Sequence, residues 1–587
     1  MNYKLKITHY FVRVCLWLIF PCCQLMAQPS AVQKAAKSIF TLTTYAQDGK
    51  EIATSEGVFV GAGGEAVSSW KPFVGATRAT VTDMAGKQSD VTEIVGASEL
   101  YDVCKFRVAV TGTPAKLSPT PLAAGSKAWQ ISYALKKPEI KEMTVKKVET
   151  FMEQYTFYIV SKPPSDSPEG EGLPPIASPL INASGQVVAL AQPPTSPSGG
   201  GREGAESVLH AVDINYPNNF TITNGLSTAD PILSQTRIRK ALPDKKDDAL
   251  LALIMTRQQA DSLQYAQTID NYISKFPNEI DGYAAKAMSY VEANDFAAAD
   301  HEMQQALKKT TQKDQAHSEY AKLIYQKNIY KSELPYADWT FDKALAEAQA
   351  AYKLNPLPIY QHQQAQIIFA QGDYQQAYDM FIALASSPSG GGREEAEAMT
   401  PELYLEAAQC KANLQAPQEE ILQLLDKAVE ACPRPLTNIA APYILARGQA
   451  YDNAGQYRKA ISDYNTYDTL MVFRATPEFY YLKYQCEVKV RQYQQALGDI
   501  AHAAVLNPQE PTYLAELASL NLKVGRLPEA IRAADLCISV APDYPDAYIV
   551  KGLALIRDGK KAEGLQALEQ ARNLNDQRAQ PLIDKYQ

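Results

Sequence analysis

Between residues 31 and 220, apolar and β-branched residues come in short runs that are separated by Gly, Pro and polar residues. Five of these runs span residues 38–44, 57–60, 79–82, 103–110 and 157–160. Short runs bounded by turn residues are typical of β-strands, and many short strands with few helical stretches indicate a barrel or a sandwich. The sequence therefore predicts an all-β domain over residues 28–221.

The pattern changes at about residue 247, where Ala, Tyr, Gln and Leu recur at helical spacing. Small residues return at intervals of 36, 34 and 34 residues, at Ala460, Ala496, Ala530 and Gly564. Around the first of them stand Gly448, Tyr451, Gly455, Tyr457 and Tyr467. This arrangement resembles the tetratricopeptide (TPR) repeat, whose period is 34 residues. The resemblance implies an all-α TPR solenoid over residues 246–587, with eight or nine units.

A TPR unit consists of two antiparallel helices, and no unit can bury its apolar face alone, so neighbouring units stack. The first helices of the family line a concave surface that binds extended peptides or partner helices. A protein or peptide partner is therefore expected on this surface. The candidate groove residues are Lys286, Gln361, Gln364, Arg447, Lys483 and Lys551.

Three segments of the β-domain occur in the order found in trypsin-like serine proteases. They span residues 57–76, 98–108 and 174–190. Together they resemble the HtrA-type pattern, which implies a trypsin-like double barrel. The resemblance places the catalytic histidine position at Lys71, keeps the acid as Asp102, and places the nucleophile position at Ile176.

The residues at these positions cannot perform the family's chemistry. Ile176 has neither the hydroxyl nor the thiol that acyl transfer needs. Lys71 would act as a base only with a strongly lowered pKa, which nothing in the sequence predicts. Pro174, at the position of the oxyanion-hole glycine, has no N–H to donate. No catalytic residues are therefore expected, and Asp102 is expected to make a structural hydrogen bond.

One alternative retains catalysis. A shift of two residues would place Ser178 at the nucleophile position, with Lys71 and Asp102 as its partners. The chain would then be an active serine endopeptidase whose repeats recruit the substrate. Ser178 is followed directly by Pro179, without the Gly-Gly that shapes the family's turn. In a third interpretation, the β-domain binds peptides without cleaving them.

Two further segments fall outside the predicted elements. Residues 222–245 are expected to link the two domains. Residues 196–206 and 387–397 are nearly identical and contain a Gly-Gly-Gly run, which is tolerated in a loop and would damage a core. They predict surface-loop inserts at about 195–207 and 386–400, one in each domain.

The N-terminus has Lys4, Lys6 and Arg13, then an apolar run over residues 14–20, then Ala27. These features predict a secretory signal over residues 1–27 and no membrane anchor in the mature protein. Asp261-Ser262-Leu263 and Asp468-Thr469-Leu470 resemble the O-glycosylation acceptor of exported Bacteroidetes proteins. We therefore expect an exported bacterial protein of the periplasm or cell envelope, or of the outer surface.

The composition excludes several other classes of protein. The chain has 587 residues, a formal charge of −8, and no dense Lys/Arg cluster beyond its N-terminus, so nucleic acid is not an expected partner. Five cysteines follow the signal, which indicates buried apolar side chains or a single pair such as Cys410 with Cys432. The six histidines show no metal-ligand spacing, and no cofactor fingerprint is present, so neither a metal nor a cofactor is expected. The expected function is that of a non-catalytic, protein-binding scaffold with a pseudoprotease domain.

Overall fold

The computed structural model describes residues 29–110, 112–133, 138–151, 155–161, 177–192, 208–222, 230–259, 261–386 and 393–587. The predicted signal, Pro174, Ile176 and the whole of the first loop insert lie outside these residues, as do residues 387–392 of the second insert. The chain forms two compact units, Met1–Gln312 and Lys313–Gln587.

The first barrel follows a short helix, α1 (Ser30–Ala35), and has six antiparallel strands. The strands are β1 (Ile39–Tyr45), β2 (Glu51–Phe59), β3 (Glu65–Ser68), β4 (Arg78–Thr82), β5 (Gln88–Ser98) and β6 (Val103–Val108). Their order is β1-β2-β3-β6-β5-β4, and β1 also pairs with β4, which closes the sheet.

The second barrel repeats this architecture and is followed by the short helix α2 (Asn215–Asn218). Its strands are β7 (Lys127–Ser132), β8 (Glu139–Phe151), β9 (Tyr155–Ser161), β10 (Pro179–Ile181), β11 (Val187–Ala191) and β12 (Val208–Asp213). The order β10-β11-β12-β9-β8-β7, with β7 paired to β10, gives the same strand neighbours as in the first barrel. Two like six-stranded barrels in succession form the trypsin-like double barrel, which confirms the predicted fold of the β-domain.

Alternation along the strands distributes side chains between two cores. Phe40, Phe59 and Phe106 lie in the core of the first barrel. Val58, one residue before Phe59 and therefore on the opposite face of β2, packs with Ile131 and Leu190 in a core between the barrels. The five apolar runs singled out in the sequence correspond to β1, β2, β4, β6 and β9, because these strands are buried on one or both faces.

The segment expected to be a linker packs against the first barrel from residue 230 onward. Leu233 and Ile238 are buried in the core of that barrel. The backbone N–H of Gly75 donates to Gln235 (2.8 Å), and Ile94 exchanges backbone hydrogen bonds with residues 239 and 241, each 2.8 Å long. Residues 230–242 are thus part of the β-domain's structure.

The rest of the described chain is helical, in agreement with the predicted all-α solenoid. Its 19 described helices are α3 (Lys246–Gln259), α4 (Ser262–Lys275), α5 (Ile280–Glu292), α6 (Phe296–Lys309), α7 (Lys313–Tyr330), α8 (Phe341–Leu354), α9 (Pro358–Ala370), α10 (Tyr374–Ser386), α11 (Arg393–Asn413), α12 (Gln418–Glu430), α13 (Ala441–Asn453), α14 (Tyr457–Met471), α15 (Pro477–Lys489), α16 (Tyr493–Leu506), α17 (Pro511–Lys523), α18 (Leu527–Val540), α19 (Pro545–Arg557), α20 (Lys561–Asn573) and α21 (Ala579–Tyr586). Helices α3 to α20 form nine successive pairs, and within each compact unit each pair contacts the next.

Small residues occupy a constant register in this array. The fourth residue of the second helix is a buried Ala or Gly in seven of the nine pairs. These residues are Ala299, Ala344, Ala377, Ala460, Ala496, Ala530 and Gly564. A small side chain here lets the two helices of a pair approach closely. The five described cysteines are buried and unpaired, so they act as small apolar side chains.

Among the helices of the described chain, none has the length and apolar character needed to cross a bilayer.

Gly552 offers a test of the close approach between the two helices of a pair. A Cβ atom at residue 552 would lie 2.9 Å from the carbonyl oxygen of Gly564 and 2.8 Å from a carbon of Leu568. We expect Gly552→Ala to lower the free energy of unfolding by about 1–3 kcal/mol despite its better helix propensity, because α19 and α20 must separate. Urea denaturation followed by circular dichroism measures this.

The matched control is Gly498→Ala in α16, where a Cβ atom meets nothing within 4 Å. It should leave stability unchanged or raise it by up to about 1 kcal/mol. Equal effects of the two substitutions would contradict the close approach of α19 and α20.

Candidate functional site

The turn between β5 and β6 buries the carboxylate of Asp102, at the position where the family has its catalytic acid. The residue is 7% exposed and has a φ of 47°. One carboxylate oxygen accepts hydrogen bonds from the backbone N–H groups of Trp70 (3.0 Å) and Lys71 (2.7 Å), and the other accepts from Ser69 Oγ (2.6 Å). Asp102 therefore holds the 3₁₀ turn Lys71–Phe73 against the first barrel.

Lys71 meets Asp102 only through this backbone bond, since its side chain is exposed to solvent. The next two residues, Pro72 and Phe73, are buried and anchor the turn.

Ser178, the alternative nucleophile, lies in a buried network between the two barrels. Its relative exposure is 0%, and its hydroxyl donates to Glu56 Oε2 (2.7 Å). Glu56 Oε1 accepts from Ser132 Oγ (3.0 Å) and from the backbone N–H of Tyr133. One carboxylate on β2 is thus bound by three donors of the second barrel, and the Ser178 hydroxyl is one of them.

Glu56 was not singled out in the sequence, although its position on β2 explains its role. Residues 56 and 58 point to the same face of the strand, which is the face covered by the second barrel. An acidic residue beside an apolar run is usually solvated, so the sequence offered no signal for a buried carboxylate. Burial raises the pKa of Glu56, and the hydrogen bonds from Ser178, Tyr133 and Ser132 oppose that shift.

Immediately before Asp102, Tyr101 begins a cluster of aromatic rings that spans both barrels. Its ring lies 5.2 Å from that of Tyr155, 5.0 Å from that of Phe157 and 5.1 Å from that of Tyr216. Tyr216 also lines a cavity of about 460 Å³ together with Pro121, Thr156, Asp213, Asn215, Asn219 and Phe220. A concave site lined by aromatic rings and a few polar groups can hold part of a ligand.

In the solenoid, four of the six candidate groove residues form ion pairs with carboxylates 16 residues away. The pairs are Lys286 with Asp270 (3.0 Å), Arg447 with Asp463 (2.8 Å), Lys483 with Asp499 (3.2 Å) and Lys551 with Asp535 (2.7 Å). The constant separation follows from the repeat, because 16 residues lead to the same level of the neighbouring helix. Gln364 donates to the backbone oxygen of Ala348, and Gln361 is half-buried.

The solenoid also brings together one group of side chains with metal-binding chemistry. Among the described residues, His362 of α9 and Glu402 and Glu406 of α11 have ligand atoms within 4.8 Å of one another. These residues lie up to 44 positions apart in the sequence. Sequence spacing could not reveal them, because the whole of helix α10 lies between the histidine and the carboxylates in the sequence.

The Glu56 network predicts a pH dependence of stability. Since the pKa of Glu56 is raised above its ordinary value of 4.5, the folded state binds this proton more tightly than the unfolded state does. Its contribution to stability is therefore fully present below about pH 4.5 and is lost as the pH rises through the folded-state pKa. In Glu56→Gln this loss should be absent, so the free energy of unfolding should fall less between about pH 4 and pH 7.

Guanidinium denaturation followed by tryptophan fluorescence measures this difference. The control is Glu51→Gln, an exposed position on the same strand, which should keep the wild-type pH dependence. Identical pH profiles for Glu56→Gln and the wild type would show that the network does not shift the Glu56 pKa.

Comparison with known proteins yields likeness in fold alone. No protein-family model and no curated protein matches the chain. Two solved structures that match are the HtrA-type protease AlgW with a tripeptide and a variant of it with a tripeptide. Each is 15% identical in sequence to this chain. The alignments cover 33% and 32% of this chain, with TM-scores of 0.27 and 0.26. The chain spans 61% and 59% of their lengths. At this identity and TM-score the likeness supports no conclusion about activity, and the double barrel is established by its strand order.

Proposed function

We propose that this chain is a non-catalytic, protein-binding scaffold of the bacterial cell envelope, with a pseudoprotease β-domain and a TPR solenoid. The observation that most supports the absence of catalysis is the burial of Ser178. A nucleophile must reach a substrate carbonyl, whereas this hydroxyl is 0% exposed and donates to Glu56. To act as a nucleophile, Ser178 would have to break its hydrogen bond to Glu56. The buried carboxylate would then lose one of its three donors, which is energetically costly.

The use made of Asp102 supports the same proposal. In a serine protease triad the acid orients an imidazole. Here both carboxylate oxygens accept hydrogen bonds from the turn that contains Lys71. A protein of this kind can keep the protease fold while its acid serves structure alone.

A fluorophosphonate probe applied to the full-length protein tests the absence of catalysis. Such a probe labels activated serines. We expect no labelling of the wild type, and no difference between the wild type and Ser178→Ala. A trypsin-like protease in the same reaction is the positive control. Labelling that is lost in Ser178→Ala would establish the alternative, a serine endopeptidase whose solenoid recruits the substrate.

Binding of a protein partner by the solenoid is supported by an exposed apolar surface, which we call the Phe473 patch. It comprises Val472 and Phe473 after the end of α14, which are 63% and 91% exposed, together with Ile439, which is 70% exposed in the 3₁₀ turn Asn438–Ala440 that contacts α14. Val472 and Phe473 both have positive φ, at 40° and 63°, which holds their side chains outside the end of α14. Exposed apolar clusters of this kind mark interaction sites.

A cavity lies next to the Phe473 patch and shares Val472 with it. Its volume is about 750 Å³, and its lining includes Leu445, Leu470, Met471 and Val472. The positively charged Arg474 stands at the same cavity. An apolar cavity with one cationic rim residue suits an apolar side chain of a partner that carries an acidic group nearby.

Export is the remaining element of the proposal. The basic residues, the apolar run and Ala27 at the N-terminus support a secretory signal over residues 1–27. A location in the periplasm, in the envelope or at the outer surface would follow.

Photo-crosslinking in the bacterium that makes this protein tests the partner site. With p-benzoylphenylalanine in place of Phe473, we expect one discrete protein adduct on denaturing gels. The matched control replaces Leu536, another exposed apolar residue of the solenoid, which is 56% exposed. An adduct of equal yield at both positions, or none at residue 473, would exclude the Phe473 patch as the partner site.

A further inference from the structure

His362 lies on α9 with its ring inside the solenoid. The residue is 5% exposed, and its ring packs edge-on against Phe381 at 5.8 Å. Its Nε2 atom lies 2.5 Å from Glu406 Oε2 on α11. A buried imidazole that points a ring nitrogen at a carboxylate is arranged as a metal ligand would be.

Two carboxylates face this nitrogen from α11. Glu402 and Glu406 are four residues apart and therefore lie on the same face of the helix. Glu406 is held in place, because its Oε1 accepts a hydrogen bond from Gln366 Nε2 (2.7 Å). Glu402 is exposed, so the group opens to solvent on that side.

The negative charge of this group has little compensation nearby. Within the described part of the chain, no Lys or Arg is seen to form an ion pair with either carboxylate, and His362 pairs with Glu406. These carboxylate charges act on neighbouring tyrosines. Burial is the main cause that raises the pKa of Tyr443 and of Tyr325. The charge of Glu402 raises the pKa of Tyr443 further, and the charge of Glu406 does the same for Tyr325. A cation at this point would be stabilised by both carboxylates.

We propose that His362, Glu402 and Glu406 form a binding site for a divalent transition-metal ion, with Zn²⁺ as the best fit. One imidazole and two carboxylates are a ligand set that Zn²⁺ accepts, with bonds of about 2.0–2.2 Å. An imidazole disfavours Mg²⁺ and Ca²⁺, which take oxygen ligands, and the absence of thiolate from the set disfavours softer ions.

The geometry requires a small adjustment. Ligand atoms around a tetrahedral Zn²⁺ are separated by about 3.4 Å, given bonds of about 2.1 Å. Nε2 of His362 and Oε2 of Glu406 must therefore move apart slightly from 2.5 Å, while the ligand atom of Glu402 already lies within 4.8 Å of both. Because one side of the group is exposed, the fourth coordination position of the ion would be open to water or to a side chain of a bound protein.

Such an ion would connect α9 and α11, which are the first helices of consecutive pairs. In the described structure these two helices are already joined by His362 and Gln366 to Glu406. The metal would replace a hydrogen bond by coordinate bonds and fix the spacing of two neighbouring repeats.

The experiment uses full-length protein treated with EDTA and then dialysed free of chelator. Titration with Zn²⁺ in competition with a chromophoric chelator gives the stoichiometry and affinity. We expect one ion per chain at this site, and a loss of affinity of about 100-fold or more in His362→Ala and in Glu406→Gln. Loading with Co²⁺ should give the visible absorption of a nitrogen- and oxygen-ligated ion in the wild type, and not in His362→Ala or Glu406→Gln.

His317→Ala is the matched control. His317 also pairs with a carboxylate, with Nδ1 2.6 Å from Glu347 Oε2, but it belongs to no such group of three among the described residues. This variant should bind Zn²⁺ as the wild type does. Since His362 is buried, Glu402→Gln, at the exposed ligand, provides a second variant that should fold normally and bind more weakly.

No Zn²⁺ binding by the wild type would overturn the proposal. So would binding that survives both His362→Ala and Glu402→Gln, or an equal loss in His317→Ala. Circular dichroism of each variant confirms that loss of binding is not loss of fold.

Discussion

A single buried carboxylate, that of Glu56, organises the junction of the two barrels. Burying an ionised group costs several kcal/mol unless donors replace the lost water. Here the donors are two hydroxyls and one backbone N–H, and all of them come from the second barrel. The relative position of the barrels and the burial of this charge therefore depend on each other. Ser178 is inaccessible because it is a member of this network.

The carboxylates of Asp102 and Glu56 illustrate how buried acidic groups can serve the fold of the two barrels. Catalysis needs polar groups that are incompletely satisfied before the substrate arrives. Asp102 and Glu56 each accept three hydrogen bonds from within the chain. Groups so fully engaged stabilise the fold and have little left to offer a substrate.

The sequence was informative where structure depends on local periodicity. Short apolar runs bounded by turn residues predicted the strands, and the interval between Ala496, Ala530 and Gly564 predicted the stacking of helix pairs, because both patterns reflect which residues an element buries. The sequence could not show which residues that are distant along the chain contact each other in the folded protein. The sequence offered Arg447 and Lys483 as candidate groove residues without showing the ion pairs in which they lie. Glu56 and the group around His362 were likewise invisible, since their partners come from other strands and helices.

The attachment of residues 230–242 to the first barrel bears on how the chain can be divided. Leu233 and Ile238 form part of that barrel's core, while Leu242 packs with the first solenoid helices. A fragment that stops at residue 221 would leave an apolar hole in the wall of the barrel and expose the edge at Ile94. A fragment that starts at residue 246 would lack Leu242, which packs in the same core as Tyr272. A division of the chain that preserves both cores must therefore keep residues 230–242 joined to the first barrel and to the first solenoid helices.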